Sequence, residues 1–197
     1  MPNTDPLARA RELSLAGLLG ALGLLLPVGF HALGWAGKVF LPMHLPIVVA
    51  GFLLAPSTAA SLGFVVPLLS AVLTGMPPLA PPIAPLMAVE LAAKATVISV
   101  VYRRLRLPLW VALLLGIVVD WIVLALAAVA AADFFAIAVP PTTYLWGVIA
   151  LSVPGTIIQI VAAPAAVAGI ERRLPSLVPA RKSNPASPRS ASEDDEP

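Results

Sequence analysis

Five polar side chains stand out in a chain that otherwise excludes them from its long apolar stretches: His44, Glu90, Lys94, Asp120 and Gln159. Glu90 and Lys94 are spaced i, i+4 with the carboxylate on the N-terminal side, so on a helix they share one face in the better orientation. At bilayer depth a charge costs at least about 2.5–3.5 kcal/mol unless it is paired or faces water. Two kinds of chemistry satisfy that condition. A buried ion pair or triad of Glu90, Lys94 and Asp120 would tie two helices together. A polar cavity built from the same groups would receive a hydrophilic solute. His44 is the only titratable group in a long uncharged run and suits either a membrane-interface position or a hydrogen bond to a ligand. No His-Glu-x-x-His, Gly-x-Ser-x-Gly or Gly-x-x-x-x-Gly-Lys-Ser/Thr pattern is present, so no catalytic motif supports an enzyme and no phosphate loop supplies energy. No cofactor is expected. Uphill movement of a solute would draw on a partner or an ion gradient.

The elements that must carry these groups follow from composition. Of 197 residues, 59% are hydrophobic and only 11% are charged, against about 25% charged in an ordinary soluble domain. The mean hydropathy is +0.97. So few polar side chains cannot cover the surface of a soluble domain, which excludes a soluble enzyme, a disordered regulator and a nucleic-acid binder. The absence of cysteine excludes disulfides, thiol nucleophiles and thiolate metal sites. Asp, Glu, Lys and Arg are missing from Val39 to Val89 and again from Phe134 to Ile170. A crossing takes roughly 20 apolar residues, so the first stretch must fold back on itself.

Proline and glycine mark where. The pattern predicts an all-α polytopic membrane protein of six transmembrane helices, at about Leu13–Phe30, Pro42–Leu54, Ala59–Thr74, Ile83–Tyr102, Pro108–Ala131 and Thr142–Arg173, the last kinked near Pro154 and Pro164. No segment alternates with period two, so no barrel is expected. Arg9 and Arg11, then Arg103, Arg104 and Arg106, then Arg172, Arg173, Arg181, Lys182 and Arg189 fall on one side of a six-helix bundle, and only Lys38 falls on the other. The positive-inside rule then places both termini in the cytoplasm of a plasma-membrane protein. Residues 1–11 are expected to form a cytoplasmic N-terminal segment, 12–174 the membrane domain and 175–197, rich in Pro, Ser and charge, a disordered cytoplasmic tail. Residues 1–31 have no clear small-x-small site and are expected to be retained rather than cleaved as a signal peptide. At about 1.5 Å per residue, Lys94 falls roughly 16 Å below the outer end of the fourth helix and Asp120 roughly 18 Å above the inner end of the fifth, which lets them meet near mid-depth. Trp35, Tyr144 and Trp146 fall near the outer boundary, where aromatic belts are ordinary. On the first helix, Ala16 with Gly20 and Gly17 with Ala21 have the small-x-x-x-small spacing that permits close helix approach.

Several stretches resemble the substrate-binding S components of energy-coupling factor (ECF) transporters. They are Leu41 to Pro56 (LPMHLPIVVAGFLLAP), Pro67 to Ser70 (PLLS), Leu73 to Pro78 (LTGMPP), Met87 to Ala92 (MAVELA), the Tyr102–Arg104 end of the fourth helix, and Val153 to Gln159 (VPGTIIQ) with Pro164. The resemblance covers about residues 10–174. It implies a six-helix subunit that binds a small polar vitamin or vitamin precursor on the outer side and docks on a transmembrane T component driven by two cytoplasmic ATPases. It also implies a T-component face at Ala16, Gly17, Gly20 and Ala21. The implied pocket lies in the outer halves of the later helices under the loop between helices one and two, which here hold Trp35, His44, Met76, Glu90, Lys94 and, as partner of Lys94, Asp120. Lys94 and Asp120 depart from the family pattern, which implies a changed charge arrangement and a different substrate. Two other functions fit the residues alone: a stand-alone secondary carrier or channel with Glu90 or Asp120 as proton site, and a non-transporting membrane scaffold or intramembrane enzyme.

Overall fold

The computed structural model describes residues 6–31, 42–79, 83–135 and 141–173; within them, side chains are not described at 30, 31, 127, 128, 130–135, 141–145, 148, 149 and 151. The described residues form six α-helices and no strand: α1 (Pro6–His31), α2 (His44–Leu53), α3 (Pro56–Thr74), α4 (Ile83–Ser99), α5 (Leu109–Phe135) and α6 (Pro141–Arg173). A π-helical turn, Val100–Arg104, continues α4. The helix boundaries lie close to those expected, except that α1 starts at Pro6 and takes in most of the segment assigned to a separate N-terminus.

Five of these helices are long and apolar enough to cross a membrane; α2 is not. Its ten residues rise only about 15 Å, half of a roughly 30 Å hydrocarbon core. Of the six spans expected, five are present among the described residues as helices of spanning length, and the second is described as an apolar helix of ten residues. The physical reason lies in the Pro42 to Pro56 segment, where the two prolines bracket a helix too short to span. α2 is also apolar on every side, and all its residues but Leu45 are buried, which marks a helix enclosed by its neighbours. It packs against α1, α3, α4 and α6.

The C-terminal carbonyls of α2 are satisfied by side chains from α4. Ser99 Oγ donates to the Leu54 carbonyl at 2.8 Å. Arg103 Nη1 donates to the Leu53 carbonyl at 3.1 Å. The π-helical turn carries Arg103 to this position, and Tyr102 beside it meets Phe52 edge-on with ring centroids 5.1 Å apart. Glu12 of α1 accepts the Ala55 N–H at 2.7 Å, and Tyr102 donates to Glu171 of α6 at 3.1 Å. These contacts gather the start of α1, the end of α2, the end of α4 and the end of α6 at one end of the bundle. Arg9, Arg11, Arg103, Arg104, Arg106, Arg172 and Arg173 therefore share that end, which is called the basic end below.

Close backbone approach holds the bundle together. α4 packs most extensively on α3, then on α5 and α2. At the α3–α4 crossing Gly63 faces the backbone of Leu91 and Ala92 so closely that a Cβ there would sit 2.6 Å from the Leu91 carbonyl oxygen. Where lipid tails are as apolar as the side chains, such packing replaces the hydrophobic drive between helices. α3 then ends on Gly75 in the left-handed conformation (φ +72°), whose N–H caps Ala71 at 2.9 Å.

Replacing Gly63 with Ala is expected to destabilise the protein by about 1–3 kcal/mol, because backbone atoms cannot yield to the added carbon. Gly17→Ala, where nothing lies within 4 Å of the new methyl, is expected to leave stability unchanged. Thermal unfolding in detergent checks both, and equal behaviour of the two variants would show that the α3–α4 contact is not limiting.

Candidate functional site: a buried polar cluster above the short helix

His44, Glu90, Lys94 and Asp120 come together in the interior. All four are buried, and Lys94 is only 1% exposed. Lys94 Nζ lies 2.8 Å from Asp120 Oδ2, a hydrogen-bonded ion pair joining α4 to α5. His44 Nε2 lies 3.7 Å from Glu90 Oε1, close but beyond hydrogen-bond length. One ligand atom from each of His44, Glu90 and Asp120 lies within 4.8 Å of the others.

The helices place these groups at one level. α2 runs parallel to α4, with Leu54 beside Ser99 at the basic end and His44 beside Glu90 at the other. Counting at 1.5 Å per residue from the basic end, His44 stands about 15 Å up from Leu54, Glu90 about 20 Å up from Arg103 and Asp120 about 18 Å up from Pro108. Lys94 starts one turn lower on α4. Helical side chains lean toward the N-terminus, so its stem reaches up toward Asp120. Gln159 on α6 stands about 21 Å up from Arg173, at the same level. It lies on the inward stripe Gly155, Gln159, Ala163, Val167 and is 1% exposed.

Several polar atoms here have no hydrogen-bond partner among the described residues: His44 Nδ1, Asp120 Oδ1, and both amide atoms of Gln159. A buried polar atom without a partner costs about 1–3 kcal/mol. Such atoms are rare inside proteins, and here several lie at one depth. Three of the groups, His44, Glu90 and Asp120, offer the donor types of a metal site, but the ammonium of Lys94 already holds one Asp120 oxygen.

The other expected site residues fare differently. Met76 lies at the end of α3 in the loop after it, 36% exposed, with its carbonyl accepting from Ser70 Oγ at 2.7 Å. It is not part of the buried cluster. Trp35 and Lys38 lie outside the described residues, as does the side chain of Tyr144; Trp146 is exposed. The small residues of α1 divide between two faces. Ala16 and Gly20 are buried within the bundle, and a Cβ on Gly20 would meet Leu62 Cδ1 at 3.1 Å, so Gly20 packs against α3. Gly17 and Ala21, about 100° further round the helix, are exposed. Gln159 is not among the site residues expected from the sequence; its matching depth along α6 is the signal that sets it beside them.

A family model described as "ECF transporter, substrate-specific component" matches residues 11–167. No curated protein and no solved structure matches the chain. The match covers α2 to α5 entirely and most of α1 and α6, and with them every residue of the buried cluster. The chain therefore belongs to the substrate-specific components of ECF transporters, multi-pass proteins of the plasma membrane.

Proposed function

We propose that this chain captures a small polar vitamin or vitamin precursor from the outer side and delivers it through a transmembrane T component driven by two cytoplasmic ATPases. The observation that carries the reading is the buried cluster of His44, Glu90, Lys94 and Asp120 with its unpartnered atoms. It stands at the end of a helix that fills only half the depth of the bundle. Four of the long helices, α1, α3, α4 and α6, pack around α2 in one half, and the polar floor faces the other half. With the basic end in the cytoplasm, that other half opens outward, and His44, Glu90 and Asp120 line the bottom of the binding site. Lys94 holds Asp120 in place, and Gln159 adds an amide at the same level.

Docking on the T component is assigned to the exposed face of α1 at Gly17 and Ala21, where small side chains leave room for a second helix. Ala16 and Gly20 are buried inside the bundle instead, Gly20 against Leu62 of α3.

Reconstitution with a T component and two ATPases in liposomes tests the proposal. Accumulation of a B-vitamin or precursor from an added mixture is expected to require ATP. Accumulation by the chain alone under a proton gradient would point to a secondary carrier. At the site, Lys94→Met is expected to destabilise the protein by about 3–5 kcal/mol, because it leaves Asp120 buried without its counter-ion. Adding Asp120→Leu is expected to restore thermal stability while solute retention stays lost. Full retention by the double variant would remove Asp120 from the site. On α1, Gly17→Leu and Ala21→Leu are expected to reduce copurification with the T component and leave the melting temperature unchanged. Gly20→Leu is expected to lower the melting temperature itself.

A further inference from the structure

The cluster holds one more carboxylate than ammonium. Glu90 and Asp120 are buried with a single lysine between them, and the imidazole of His44 counts as neutral. Hydrogen bonding is unbalanced in the same sense. Asp120 gives Oδ2 to Lys94, while its Oδ1 has no partner among the described residues, and neither has His44 Nδ1. Glu90 Oε1 stops 3.7 Å from the imidazole, outside hydrogen-bond reach. The two carboxylates and the imidazole nevertheless face one another across less than 5 Å, since their ligand atoms lie within 4.8 Å. The N-terminal end of α2 contributes roughly half a positive charge, which reduces the negative excess without cancelling it. The site is left with spare acceptors and one carboxyl group beyond the single ammonium, a charge that a low-dielectric interior tolerates only when a proton or a bound cation compensates it.

Building on the solute-binding reading above, we propose that this site selects an organic monocation, a small solute whose single ammonium or protonated ring nitrogen seats between Glu90 and the free oxygen of Asp120. The charge count decides among the alternatives. A monocation brings the cluster to balance and supplies N–H donors to the carboxylate oxygens that lack them, in the form of charge-assisted hydrogen bonds. An anionic solute would set a third negative charge within a few ångströms of the first two, where repulsion is poorly screened. A divalent metal ion would overshoot the balance and sit beside the Lys94 ammonium, which already engages one of its three ligands. Lys94 thus acts as a positioning residue that fixes Asp120 and leaves Glu90 as the charge the solute answers. The preference falls on cationic vitamins and precursors and against those that carry only a carboxylate.

The test uses the full chain purified in detergent and incubated with an equimolar mixture of pyridoxamine, thiamine, pyridoxine, 4-pyridoxate, pantothenate, zinc and nickel. Pyridoxamine, pyridoxine and 4-pyridoxate share one ring and differ at one substituent, which is an ammonium, an alcohol or a carboxylate. Native mass spectrometry reads what is retained. Retention of a cationic solute in preference to neutral and anionic ones is expected. Glu90→Gln is expected to lower that retention about tenfold or more, the loss of a hydrogen bond to a charged group. Glu90→Asp keeps the charge and is expected to keep the preference for cations, which covers the case in which the glutamine variant does not fold. Preferred retention of pyridoxine, 4-pyridoxate, pantothenate or a metal ion overturns the monocation assignment and leaves the solute-binding reading standing. Retention of nothing from the mixture overturns both.

Discussion

An ammonium group in the middle of an apolar bundle needs a counter-ion on another helix, and this need sets much of the structure around Lys94. The lysine is almost completely buried, and its only hydrogen-bonded charge partner among the described residues is Asp120 on α5. Separating the two would leave each as an isolated charge in a low-dielectric medium, a cost of several kcal/mol. This contact of 2.8 Å, together with the close approach of Gly116 to Ile98, fixes the register of α4 against α5. Glu90, one turn earlier on α4, is carried to a fixed place beside His44 by the same constraint.

The second determinant is the length of α2. A helix buried on all sides must have its carbonyl ends satisfied inside the protein, and Ser99 and Arg103 do this at the basic end. The π-helical turn at Val100–Arg104 rotates Arg103 onto Leu53 and sets Tyr102 between Phe52 and Glu171, so a local irregularity serves three neighbours. With that end anchored, ten residues bring His44 to mid-depth. The polar floor is thus placed by two independent measures along parallel helices: one from Leu54 to His44, the other from Ser99 to Glu90.

Packing by small residues separates the internal surfaces of the bundle from those free to meet a partner. Gly63 allows α3 to lie against the backbone of α4, and Gly20 allows α1 to lie against Leu62 of α3. Gly17 and Ala21 have the same composition and spacing but point outward. The same small-residue pattern therefore faces two ways on one helix, inward at Gly20 and outward at Gly17 and Ala21.

The sequence by itself determined the membrane class, the all-helical fold, the positions of five long helices and the clustering of arginines at one end. It also singled out the polar residues that the structure buries together. These properties follow from local composition: apolar runs of spanning length, Pro and Gly at their ends, and charges so costly in lipid that each surviving one is conspicuous. The pairing of Lys94 with Asp120 was legible too, because depth along a helix is simple arithmetic. Only the tertiary structure decided that α2 is a half-length helix enclosed by others, because a helix of ten residues in an uncharged run looks the same in sequence whether it spans or stops short. Only the tertiary structure showed that His44 sits beside Glu90 in the interior, that Met76 does not join them, and that Ala16 and Gly20 face inward while Gly17 and Ala21 face out. Spacing along a chain gives the height of a residue and its angle around its own helix. Which neighbour occupies that angle is set by how all the helices pack at once.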